Sequence, residues 1–436
     1  MALSPLDSAL WRGLLGSAGA DALMGDSALL AAMVRVEAAL AEACAEVGLI
    51  PAEAGPGIAK ALAEVAPDPA DLAEGTARDG LPVPELVRVL RERLGPDLGQ
   101  YLHWGATSQD ILDTATVLQA RAAAETLDAG LAAILARLAE LAGQEAETVM
   151  PARTRTQIAL PTTFGAVAAV WGRGLASARA RLAREASQMA RLSLHGAAGT
   201  GAAFGDKGPA LRNALATRLG LATDGLPWHS RREDLSAFAT ALAGAATSLG
   251  HIVADIAFHA GTDVGEITVA GGGSSTMPHK ANPVRAEAAQ SLARHAVSLA
   301  ADMQRAAVHP LQRDGAALGL EWLSLAPLLG ATDAASGHVA GLLADLRTNP
   351  DQMRANLAAV GFGPYSEAAT FALAATMPRP DATKEVKRAL AAEDPLAHLR
   401  AEHPEIDWDR VTDPLTAAGE APAQARAFAA DPQETP

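Results

Sequence analysis

From Gln109 to Val149 the chain contains no proline, and Leu127, Leu131, Ile134, Leu138 and Leu141 recur there at alternating steps of four and three residues. That spacing places one apolar stripe along a helix, in the manner of a helix bundle. At 1.5 Å per residue the run predicts a helix about 60 Å long. A helix of that length outgrows an ordinary small core and must bury its stripe against other long helices or against copies of itself. Two more proline-free runs follow, from Thr162 to Gly208 and from His229 to Met277. Hydrophobic residues make up 49% of the chain but aromatics only 3%, so the apolar mass is mostly Ala, Leu and Val. Ala is the strongest helix former, and small side chains let helices approach closely. The expected fold class is all-α.

Composition changes along the 436 residues mark three regions. Residues 1–105 hold shorter pieces interrupted by prolines from Pro51 to Pro96. Within them Met24 to Ile50 reads as one helix, capped by Asp26 or Ser27, with Leu29, Met33, Val36, Leu40 and Val47 on one face and Gly48 and Pro51 at its end. Residues 106–348 carry the long helices and a polar loop over 271–283, and residues 349–436 return to short elements. The expectation is a small helical domain, a central long-helix bundle that forms the core of a self-associated molecule, and a second small helical domain.

The formal net charge of -15 argues against a nucleic-acid partner, which calls for a basic face. Cys44 is the only cysteine, so no intrachain disulfide can form. The N-terminal stretch has Asp7 and no basic region ahead of its apolar part, unlike a secretory signal. No uninterrupted apolar run approaches the ~18 residues of a membrane span. A cytoplasmic protein is expected.

Three polar islands break the Ala/Leu background. The first, HWGATSQDILDTA, runs from His103 to Ala115. Thr107 and Ser108 sit where a helix N-cap would be, with Asp110 in the first turn. Capping accounts for one of them but leaves His103, Trp104 and Gly105 unexplained, and a helix N-terminus can also hold an anion. The second, ARTRTQIALPTTFG, alternates Arg153, Arg155 and Gln157 with Thr154 and Thr156. Pro151 and Pro161 bracket it, so it reads as an extended connection between long helices. Paired arginines suit a carboxylate ligand, which they grip bidentately. The third, GGGSSTMPHKANPVRAE, runs from Gly271 to Glu287. Three glycines permit a change of shape. Ser274, Ser275, Lys280 and Asn282 supply hydroxyls, a cation and an amide, and a plain linker does not account for Met277 and Pro278 among them.

Other motifs fail on spacing. No Gly-Lys-Ser/Thr follows the glycines as in a phosphate loop, and GTGAAFG (Gly199 to Gly205) lacks the dinucleotide fingerprint. His251 and His259 on one helix would be separated by about 12 Å of rise, too far to share one ion with Asp255. No metal and no organic cofactor are expected.

Together, and in this order, the islands resemble the fumarase/aspartase superfamily, and the resemblance spans nearly the whole chain. Gly273 to Asn282 matches its signature loop G-S-S-x-M-P-x-K-x-N without a break. The first island is similar to the H-x-G-x-T-S-x-D of its adenylosuccinate lyase and cycloisomerase branches. Leu194 to Gly205, with Thr200, is similar to their G-x-x-G-T segment, and Arg313 to Trp322 looks most like the 3-carboxy-cis,cis-muconate cycloisomerase branch. The resemblance implies Ser274 as catalytic base, with Lys280 and His103 beside it in the chemistry. It implies that Thr107, Ser108, Thr154, Arg155, Gln157, Thr200, Ser275, Met277, Asn282 and Arg313 surround a polycarboxylate substrate. It also implies a homotetramer with sites shared between chains, which would unite islands far apart in sequence.

One departure bears on the reaction. Family lyases usually read G-R-T-H-x-Q in the second island, whereas Ala152 and Arg155 stand here for the Gly and the His. A guanidinium does not give up its proton near neutral pH, so it cannot protonate a poor leaving group. A carboxylate leaving group needs no such proton. The resemblance therefore implies addition–elimination next to a carboxylate, foremost cycloisomerisation of 3-carboxy-cis,cis-muconate to 4-carboxymuconolactone in the protocatechuate branch of aromatic catabolism. A lyase releasing another stable anion, such as nitrite from nitrosuccinate, is the nearest alternative. An adenylosuccinate lyase-like activity and a non-catalytic helical scaffold are more distant ones.

Overall fold

The computed structural model describes residues 4–273, 276–277 and 280–433, and it is mostly helical. Five long helices dominate: Ser108–Gln144, Phe164–Met189, Glu233–His259, Val284–Ala306 and Gly315–Asp345. The first has 37 residues, or about 55 Å of rise. Its stripe of Leu127, Leu131, Ile134, Leu138 and Leu141 is buried throughout. Glu233–His259 is long and apolar enough to cross a membrane by length and composition alone, and half of its apolar window is buried within the protein.

The chain forms two compact units from interleaved segments. The first takes residues 4–130, 178–247 and 291–336. Four helices of its N-terminal part, Asp26–Glu46, Ala54–Leu62, Pro69–Asp79 and Val83–Gly99, bury Met33, Leu40, Ile58, Leu72, Leu86 and Leu90. Gly55 permits the close helix contact, because a Cβ there would lie 2.6 Å from the Ala45 methyl. The Asp26–Glu46 helix is shorter than the Met24–Ile50 reading. Neither Asp26 nor Ser27 caps it by side chain: Gly25 is the N-cap, and Asp26 lies in the first turn. There its charge still favours the helix dipole.

The second unit takes residues 131–177, 248–290 and 337–433. Here the reading of the second island as an extended connection is corrected. Strand β1 (Val149–Thr154) and strand β2 (Gln157–Thr163) form an antiparallel hairpin, with Thr154 opposite Gln157 and Val149 opposite Thr163. The two bracketing prolines do not break the ladder, because Pro151 and Pro161 face each other and the register shifts between Pro151 and Arg153. Bulged and edge positions tolerate a missing amide hydrogen. Ile267–Thr268 and Arg347–Thr348 make a second short antiparallel pair. Toward the C-terminus, short helices enclose Leu373, Val386, Leu399 and Trp408. Phe428 packs onto Gly172, where a Cβ would come within 1.9 Å of the ring.

Candidate active site

In the first unit one carboxylate organises the first island. Asp110 is fully buried and stands three residues into the helix after Thr107. Its Oδ2 accepts the Thr107 amide at 3.0 Å, the acidic half of a capping box. Oδ2 also accepts the Gly196 amide (2.8 Å), while Oδ1 accepts the His195 amide (2.9 Å) and lies 2.7 Å from His229 Nε2. Burial opposes the charge, but His229 and these backbone donors outweigh it and hold the Asp110 carboxyl below its usual range. Capping thus falls to Asp110, and the Thr107 hydroxyl is left for another use.

That use is Arg313. Its Nη1 donates to Thr107 Oγ1 at 2.7 Å and to the Ala197 carbonyl at 3.2 Å. Asp110 and Arg313 together bring the first island, the Leu194–Gly205 segment and the start of the Gly315–Asp345 helix to one place. Gly196, Gly199 and Gly201 all take positive φ in that segment, and Thr200 is exposed between the last two. Gly105 is required as glycine: its φ is 71°, and a Cβ would meet the Phe204 ring at 2.5 Å. His103, also at positive φ, places Nδ1 2.6 Å from Glu37 Oε1.

One turn along the same helix, Asp113 pairs with Arg232 through two bonds of 2.9 and 3.0 Å. Arg232 also grips Glu321 and lies over the Trp228 ring. All three charged groups are buried. This cluster braces the helix that carries Thr107 and Ser108. Sequence reading missed it, as it missed Glu37, because each group's partner lies far away along the chain.

In the second unit the hairpin presents Thr154, Arg155, Thr156 and Gln157 as exposed residues at its tip. Arg155 and Thr156 are the two turn residues, both at positive φ (52° and 69°), a conformation unusual for a β-branched side chain. The expectation that Arg153 serves a ligand carboxylate is corrected: it is committed to Glu266 through bonds of 2.9 and 2.6 Å. Glu266 also takes His259 Nδ1 (2.8 Å) and Asn356 Nδ2 (2.9 Å). Against the penalty of burial, these donors keep the Glu266 carboxyl below its ordinary range. His251 instead faces Asp255, so the three residues considered for a metal do not converge. Among the described residues no cluster of three or more His, Cys, Asp or Glu side chains is arranged for a metal ion.

The third island closes on itself at its base. Gly272 and Asn282 exchange both backbone hydrogen bonds, each 2.8 Å. Gly272 is held close enough that a Cβ would strike Val284 at 2.6 Å. Lys280 is exposed and donates its amide to the Met277 carbonyl at 3.0 Å, and Met277 is exposed as well. Ser274 and Ser275 lie outside the described residues.

The chain as a whole is similar to known proteins. A family model described as a lyase matches residues 20–298. A 3-carboxy-cis,cis-muconate cycloisomerase of Bradyrhizobium diazoefficiens is 40% identical over 411 residues, covering 92% of this chain and 90% of that protein. A nitrosuccinate lyase of Streptomyces davaonensis is 37% identical over 371 residues, covering 82% of this chain and 78% of that protein. The crystal structure of a 3-carboxy-cis,cis-muconate lactonizing enzyme from Pseudomonas putida superposes with a TM-score of 0.89 at 29% identity, covering 98% of this chain and 99% of that one. The chain belongs to this lyase family, and it is an enzyme of the fumarase/aspartase superfamily.

Proposed function

We propose that this enzyme carries out reversible addition–elimination at a carbon α to a carboxylate, and that its reaction is cycloisomerisation of 3-carboxy-cis,cis-muconate to 4-carboxymuconolactone. The observation that carries the reading is the 40% identity to the Bradyrhizobium cycloisomerase over nine-tenths of both chains. Arg155 supports it, because a departing or attacking carboxylate needs a cation rather than an acid. In the lactone-opening direction Ser274 removes the proton α to a carboxylate, and the C–O bond of the ring breaks to release the second carboxylate. The dianionic intermediate is stabilised by Lys280, Asn282 and the amides of the glycine-rich loop, donors aimed at the charge as it develops. In the forward direction the carboxylate closes the γ-lactone and Ser274 returns the proton to carbon. Thr107, Ser108, Thr154, Gln157, Thr200, Ser275, Met277 and Arg313 complete the substrate surroundings, with no metal or organic cofactor.

The proposed assembly is a homotetramer whose sites combine islands from different chains. Large apolar side chains left exposed on the long helices, Val170, Val297 and Leu323 among them, support self-association. The division into 1–105, 106–348 and 349–436 belongs to the same reading.

The likeness to the Streptomyces enzyme favours a second reading, release of nitrite from nitrosuccinate, which also needs no acid. Incubation with 3-carboxymuconate, nitrosuccinate and adenylosuccinate in parallel tests both. Loss of muconate absorbance with the first alone supports cycloisomerisation, and turnover confined to either of the others removes it.

A further inference from the structure

Glu37 lies in the middle of the Asp26–Glu46 helix, on the face that buries Met33, Val34, Leu40 and Ala41. It is fully buried, and its Oε2 has no hydrogen-bond partner among the described residues. A carboxyl group half-satisfied inside an apolar helix contact is a poor choice for packing, since burial penalises every unpaired oxygen. Among the described residues its one hydrogen bond is with His103 Nδ1, at 2.6 Å. His103 itself holds φ at 61°, a left-handed conformation that costs free energy for any residue but glycine. A strained backbone and a carboxylate buried for one bond converge on a single imidazole. That imidazole stands four residues before Thr107, and about 15% of its side-chain surface is open.

We propose that Glu37 is a positioning residue: it fixes the ring of His103 so that Nε2–H is held out as a charged donor to a carboxylate of the substrate. This rests on the site reading above and deepens it. Nδ1–H donates to Glu37, and the opposite nitrogen is then the ring's remaining hydrogen-bonding edge. No described residue takes it. An imidazole anchored through one nitrogen to a buried carboxylate keeps a fixed orientation and stays protonated more readily. The electrostatics agree. Burial works against the charged ring and Arg91 opposes it, but Glu37, with a smaller contribution from Asp110, holds the His103 pKa above its ordinary value. A substrate with three carboxylates needs cations beyond those on the signature loop and the hairpin, and His103 supplies one on the first island.

The test is the pH dependence of kcat/KM for wild type, Glu37→Gln, His103→Asn and the double variant, on whichever substrate the parallel assays show to be turned over. With a charged His103, wild-type kcat/KM falls on the alkaline side as the ring loses its proton. Glu37→Gln keeps the size of the side chain and removes its charge. It is expected to move that falling limb to lower pH and to raise KM more than it lowers kcat, with a loss of roughly 10- to 100-fold in kcat/KM on the alkaline side. His103→Asn should abolish the limb, and Glu37→Gln should then add little. An unmoved limb in Glu37→Gln, or an equal loss at every pH, overturns the proposal and leaves Glu37 a packing residue. A second measurement needs neither substrate nor variant folding at position 37. In wild type labelled with 15N-histidine, and assigned against His103→Asn, the ring should titrate above free histidine with Nδ1 held in a hydrogen bond. Titration at or below free histidine overturns the proposal whatever the substrate proves to be, whereas failure of all three substrates with a raised ring titration would count against the reaction reading alone.

Discussion

The guanidinium of Arg313 donates to the hydroxyl of Thr107 at 2.7 Å, across 206 residues of chain. The same nitrogen reaches the Ala197 carbonyl, so one side chain ties together the helix start of the first island and the glycine-rich turn that carries Thr200. Arg313 is thereby a clamp on Thr107 before it is anything toward a ligand.

If the clamp sets Thr107 for substrate, Arg313→Ala should lower kcat/KM by about 30-fold or more, in the range of a lost charged hydrogen bond. Thr107→Val should cost less by itself. Combined with Arg313→Ala it should add little, because the two changes remove one interaction. Additive losses in this double-mutant cycle would show that the two residues act apart.

Ser274→Ala should lower turnover by about 10²- to 10⁴-fold or more, the worth of a positioned base. It should leave the fold intact, since the loop base is closed by the Gly272–Asn282 backbone exchange. Circular dichroism and thermal melting check the fold, and near-normal turnover would remove Ser274 as the base.

Arg155 stands exposed at the hairpin turn. If it holds the attacking or departing carboxylate, Arg155→His should weaken cycloisomerisation rather than create a better lyase, because imidazole lacks the bidentate fork. Arg155→Lys should fall between wild type and Arg155→Ala. Loss of a charged hydrogen bond from a desolvated site costs about 2–5 kcal/mol, or very roughly 30- to several-thousand-fold. Nearly equal kcat/KM across the series would place Arg155 outside the mechanism.

Glu266 anchors the hairpin through Arg153. Glu266→Gln leaves a nearly buried guanidinium without its counter-ion and should destabilise the fold by about 3–5 kcal/mol. The folded Glu266 carboxyl titrates below its ordinary range, so the stability it contributes is present above that range. It is lost as pH falls through the folded value. The gap between wild-type and variant melting temperatures should therefore close on the acid side. A gap constant with pH would mean that the effect is one of packing, not charge.

Much of this protein is written in local pattern. Proline-free runs of Ala and Leu with a heptad stripe are enough to specify long helices, because helix propensity and apolar periodicity act within a few turns. The polar islands were legible for the same reason: clustered Gly, Ser, Thr and Arg cannot continue that pattern. Tertiary structure decided which groups are free and which are spent. Arg153 and Arg155 look alike in sequence, yet one is bound to Glu266, 113 residues away, and the other is exposed at a turn. The hairpin itself depended on β1 meeting β2 across two prolines, which local propensity disfavours. His103 gains its carboxylate from a helix 66 residues earlier, and Arg313 finds Thr107 across most of the first unit. The strength of an ion pair or a hydrogen bond depends on distance and burial after folding, and neither is set by neighbours along the chain.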